Sequence, residues 1–197
     1  MSEPRRRAED AESDVDPAAF RRAAGQFPGG IVVVTTSDGH AMTVSAFTSV
    51  SLEPPLVLFC AEKVARFHDA VLAADAWAVS ILGEDAEKTA RRLATRGRPL
   101  DGQLDGVAHR LGPATGAPLL DGALATLECR TAAVYDGGDH SIIVGRVAAV
   151  DGPPGPPARA PRPPSPGQPA RGPLVHYAGR YHRLRPAEDG RPRPAEG

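Results

Sequence analysis

Charge of one sign is what this 197-residue sequence most plainly lacks: 23 Lys and Arg stand against 24 Asp and Glu, a formal net charge of −1. Recruitment to nucleic acid or to a membrane surface by bulk charge is therefore excluded. Long apolar runs are missing as well, none approaching the roughly 18–20 residues that a bilayer-crossing helix requires. The opening MSEPRRRAEDAESD is basic and then acidic with no apolar stretch behind it, so it does not read as a secretory signal. Cysteine is scarce. Cys60 and Cys129 each lie inside an apolar run and are expected as buried thiols rather than a disulfide, in a soluble cytoplasmic protein. His40, His68, His109, His176 and His182 share no ligand spacing, so no metal site is expected. No GxGxxG fingerprint follows a strand, which argues against a Rossmann domain. A Ser/His/Asp arrangement and a paired-carboxylate motif are also lacking.

What the chain does contain is strands. IVVVTT (31–36), PLVLFCA (55–61), WAVSIL (77–82), LATLECRTAAVY (124–135) and SIIVGRVAAV (141–150) are rich in Val, Ile and Leu and bounded by turn residues. Asp16-Pro17 marks a helix start, an N-cap acid followed by proline at the first helical position, and that helix ends near Gly25. Two further short helices are expected over about 65–74 and 85–95. Many strands with few helices predict a β-barrel or sandwich carrying small helices, not alternating βαβ units.

Proline divides the chain. Residues 1–15 and 186–197 read as disordered tails around a domain over 16–185. Residues 153–173 hold ten of the 21 prolines and read as an extended loop inserted into that domain. After them PLVHYAGRYHRL resumes a strand pattern.

One segment, TVSAFTSVSLEPP (43–55), sets short hydroxyls along an extended stretch and stops on a double proline. As a strand over 43–52 it would turn Thr43, Ser45, Phe47, Ser49 and Ser51 to one face and Val44, Ala46, Thr48, Val50 and Leu52 to the other. The first face could exchange hydrogen bonds with a flat ligand held against backbone and Phe47. An ordinary half-exposed strand with a polar outer face reads the same from composition. Pro54-Pro55 then ends the ladder.

TVSAFTSVSLEPPLVLFC resembles the signature of the flavin reductase-like family, whose members fold as FMN-binding split β-barrels. FRRAAGQFPGGIVVVTT is similar to the family's first helix and strand, WAVSIL to its central strand, LATLECRTAAVYDGGDHSIIVGRV to paired strands around a Gly-Asp-His turn, and PLVHYAGRY to its closing strand. The resemblance covers residues 18–184 apart from the proline segment. It implies a mainly β fold, a Greek-key split barrel with a few short helices, assembled as a homodimer. It implies NAD(P)H-dependent reduction of FMN or FAD and delivery of reduced flavin to a partner monooxygenase.

By resemblance, flavin contacts fall on His40, Ala41, Met42, Thr43, Val44, Ser45 and Ala46, on Cys60 and Ala61, and on Lys63, Ala65, Arg66 and Phe67. Ala41 stands where relatives often have Gly, and Ala65 and Phe67 where they often have Ser or Thr. The phosphate then falls to backbone N–H groups, Lys63, Arg66 and Arg91, which suits a flavin held loosely as a substrate. His140, the candidate catalytic residue, and Tyr177, Gly179, Arg180 and Tyr181 are implied on the NADH or NADPH side. From spacing alone His140 reads equally as a solvated turn histidine beside Asp139. Hydride transfer between nicotinamide and flavin asks the protein chiefly to stack and orient two rings. A flavin-binding module without turnover, and a flavoprotein acting on another organic substrate, are the alternatives.

Overall fold

A computed structural model describes residues 15–99, 101–152 and 172–184. The tail and insertion expectations for 1–15, 153–173 and 186–197 fall outside these residues, apart from Val15, Gly172 and Pro173. In chain order the elements are α1 (Pro17–Ala24), β1 (Gly29–Gly30), β2 (Val32–Thr36), β3 (Ala41–Val44), β4 (Phe47–Leu52), β5 (Pro55–Glu62), α2 (Arg66–Ala73), β6 (Ala76–Ile81), a 3-10 turn (Glu84–Ala86), α3 (Glu87–Ala94), β7 (His109–Leu111), β8 (Pro118–Leu120), β9 (Ala125–Gly137), β10 (His140–Asp151), β11 (Leu174–Tyr177) and β12 (Arg180–Arg183). The expected start of α1 is present: the Asp16 carboxylate accepts from the backbone N–H groups of Ala18 and Ala19, both at 3.0 Å.

Seven strands form one antiparallel sheet in the order β3-β2-β6-β9-β10-β5-β4. Its two edges, β3 and β4, are consecutive in sequence. The segment expected as one strand over 43–52 therefore breaks at Ser45-Ala46, its first half pairing with β2 and its second with β5. A strand that bends and changes partner is how a sheet turns a corner. The sheet curls until its edges share this stretch of chain, which gives a split barrel rather than a ring of hydrogen-bonded strands. At the far end of β4, a cis Glu53–Pro54 bond makes the tight turn into β5.

Alternation fills the barrel. Val32, Val34, Val57, Phe59, Trp77, Val79, Cys129 and Ile143 form the interior cluster, with Phe67 and Val71 of α2 closing one end. Phe59 meets Trp77 edge-on at 4.9 Å between ring centroids. β2 is buried on both faces, because Ile31 and Val33 pack outward against Ala90 and Leu93 of α3 and Leu174 of β11. The sequence PLVHYAGRYHRL makes a hairpin rather than a single closing strand. Its turn places Ala178 and Gly179 at φ 48° and 78°, and β1 pairs with β11 beside it.

Candidate active site

A cleft of about 380 Å³ opens where the barrel is split. One wall is the corner itself, Met42 to Ala46 at the end of β3. The floor is Cys60 and Glu62 at the end of β5, and the far wall is Val64 to Phe67 leading into α2. The fourth side is the loop that follows α3, Thr95 to Arg98, with Gln103 behind it; His140, opposite Glu62 in the β5–β10 ladder, stands at the edge.

The expected residues divide into two groups. Met42, Thr43, Val44, Ser45, Ala46, Cys60, Ala65, Arg66, Phe67 and His140 all line the cleft. Thr43 spends its hydroxyl on the fold, donating to the Ala90 carbonyl at 2.8 Å and so tying the corner to α3. Burial pushes the Cys60 thiol up, so it lines the wall as a neutral group. His140 is 40% exposed, with Nδ1 2.7 Å from the Asp139 carboxylate. That hydrogen bond holds the Asp139 carboxyl below the usual range. No described residue hydrogen-bonds His140 Nε2.

The remaining expectations stand off the cleft walls, each for a visible reason. Ala41 and Ala61 are fully buried, and both backbone hydrogen-bonding groups of Ala41 are engaged by Gln103 and Arg98. His40 turns towards Asp38, Nε2 lying 3.3 Å from its carboxylate. Lys63 pairs with Asp136, whose carboxyl is held low by that hydrogen bond and by the ammonium charge. Arg91 donates to Glu87 at 2.8 Å and lies 4.8 Å over the Tyr181 ring. Tyr177 donates to the Gln26 side chain at 2.9 Å, and Arg180 with Gly179 belongs to the same outlying hairpin.

In their place the fold supplies residues that strand patterns could not select. Arg96 reaches across to Glu62 with contacts of 2.7 and 2.8 Å to the two carboxylate oxygens. Arg98 donates to the Thr95 carbonyl at 3.0 Å and to the Ala41 carbonyl, while its Nε is buried without a partner. Burial and the neighbouring Arg92 pull its guanidinium below the usual arginine range. A sequence signal existed in TRGR (95–98), two arginines around a glycine at a helix end. Glycine at φ 76° makes the turn there.

A family model described as a flavin reductase like domain matches residues 24–185. The chain belongs to the flavin reductase-like family. It is 41% identical to an NADH-dependent FAD reductase of Streptomyces globisporus over 181 residues, covering 89% of this chain and 91% of that protein. It is 34% identical over 177 residues to the flavin-dependent monooxygenase reductase subunit HsaB of Mycobacterium tuberculosis, covering 88% of this chain and 86% of that one. The fold of this flavin reductase-like chain superposes with a TM-score of 0.75 on the Streptomyces globisporus C-1027 NADH:FAD oxidoreductase SgcE6, solved in complex with NAD and FAD fragments. That match is 39% identical and covers 90% of this chain and 99% of the other.

Proposed function

We propose that this chain is an NADH-dependent flavin reductase, which reduces FMN or FAD and releases the reduced flavin to a partner monooxygenase. The observation that carries this reading is the make-up of the cleft. A corner of backbone and hydroxyl at Thr43–Ala46 faces an apolar wall of Val64 and Phe67, and the guanidiniums of Arg66, Arg96 and Arg98 share its lining. A flat, hydrogen-bonding ring with an anionic tail fits such a set. α2 starts without a side-chain cap at Ala65, so its N-terminal turn and Arg66 together suit a phosphate.

Flavin, when bound, supplies the acceptor for a hydride from the nicotinamide ring; the protein orients the two rings and limits water between them. His140 is assigned to the nicotinamide, with Nδ1 fixed by Asp139 and Nε2 free of described partners. Tyr177, Gly179, Arg180 and Tyr181 lie outside the cleft of the single chain, so the assignment rests on His140.

We place the protein in the cytoplasm as a homodimer. Its two cysteines are unpaired. Val50 and Leu52 on β4 and Val134 and Tyr135 on β9 expose apolar surface on the large sheet, which a second copy would cover.

The test is turnover. FMN or FAD should accelerate NADH oxidation saturably in the presence of the protein. Flavin binding with NADH oxidation held at the rate without protein would leave a flavin-binding module in place of a reductase.

A further inference from the structure

We propose that Glu62 is a resident competitor for the anion site of the cleft: its carboxylate sits on Arg96 where the phosphate of a bound ligand belongs, and a phosphate-bearing ligand binds by displacing it. The inference rests on the flavin-binding reading of the cleft.

Three guanidiniums line the cleft, and they are not equivalent. Arg98 is a structural anchor, half-buried and bonded to two backbone carbonyls, with its Nε shielded from solvent. Arg66 forms no hydrogen bond or ion pair with a described residue and is available from the outset. Arg96 is available only conditionally, since the Glu62 carboxylate holds it through both oxygens at 2.7 and 2.8 Å. Both contacts come from the one Nη2 nitrogen; a phosphate oxygen can accept from the same nitrogen and carries more charge.

The exchange is feasible because the bridge is weak. The Arg96 side chain is 82% exposed and that of Glu62 29%. A bridge so open to water and salt contributes little, and an incoming dianion faces no deep desolvation to break it. Glu62 is also fixed where a competitor must be. It ends β5 opposite His140, and its carbonyl accepts from Ala65 at the entrance to α2. Arg96, by contrast, stands on a loop and can follow the incoming phosphate. With the ligand gone, the carboxylate re-forms the bridge.

Fluorescence titration of the full chain with FMN, FAD, riboflavin and NADH, each separately, tests the exchange. Glu62→Gln removes the competitor and keeps its size. It should tighten FMN about twofold to fivefold, the scale of one water-exposed ion pair released. Riboflavin, which has no phosphate, should be unaffected, and added salt should erase the gain. Tightening confined to NADH would support the exchange equally and assign the anion to the dinucleotide. Arg96→Gln should weaken FMN but not riboflavin, and adding Glu62→Gln to it should restore nothing. Equal tightening of FMN and riboflavin, or no change for any phosphate-bearing ligand with an unaltered melting temperature, overturns the proposal while leaving the reductase reading intact. Failure of the parent chain to bind any of FMN, FAD and riboflavin overturns both.

Discussion

His140 shows how far one residue's setting narrows its role. The ring is oriented by Asp139 yet remains 40% exposed at the cleft edge, so it has a partner on one side and room for a ligand on the other. His140→Ala should raise KM for NADH by about threefold to tenfold, the worth of about one hydrogen bond. Melting temperature and flavin affinity should hardly move. A lower melting temperature with unaltered NADH kinetics would make it a turn histidine only. Glu128 is the opposite case, a carboxylate on β9 with 3% exposure. It accepts from the backbone N–H groups of Ala114 and Thr115 at 2.9 and 2.7 Å and from the Thr115 hydroxyl at 2.8 Å. Glu128→Ala would strand those donors at a cost of about 1–3 kcal/mol. Thermal melting should fall by about 2–4 °C for each kcal/mol in a domain of this size. NADH oxidation at temperatures well below the melt should persist.

At the scale of elements, β9 and β10 need one glycine. A Cβ on Gly145 would stand 2.7 Å from Cη2 of the buried Trp77 and 3.1 Å from Cβ of Cys129. Gly145→Ala should therefore destabilise the protein by about 1–3 kcal/mol through overpacking, measurable by urea unfolding. A neutral result would mean that the Trp77 ring has space to move. The five apolar strands and three helices were legible in the sequence because the strands are Val-, Ile- and Leu-rich runs bounded by turn residues, and Asp16-Pro17 even marked the cap of α1. The corner was not legible. Residues 43–52 alternate without a break, and nothing in Ser45-Ala46 signals that the two halves become the opposite edges of the sheet. Lys63 illustrates the same boundary. A charge pattern says that a cation is present, whereas its direction depends on Asp136, 73 residues away in sequence. Arg96 and Glu62 are 34 residues apart and meet only because the chain after α3 returns to the end of β5.

For the molecule as a whole, exposed apolar surface on the large sheet sets the expectation of assembly. Leu52 at the β4–β5 turn is 88% exposed. Sedimentation should give two copies per particle, and Leu52→Asp combined with Tyr135→Glu should shift the balance towards one copy while circular dichroism holds. A monomeric parent chain would refute the assembly. The corner at Ser45-Ala46 has a mechanical meaning beyond topology. Since β3 and β4 are continuous through the chain, the barrel is complete without a ladder across its split, and the walls can part there with few backbone hydrogen bonds broken. A joint of this kind would let a large flat molecule in and out while the strands keep their register. Hydrogen exchange should reveal two speeds: amides of β6 and β9 opening only with the whole fold, and those of 45–46 and 95–98 opening far more often. Bound FMN should slow the second set and leave the first unchanged.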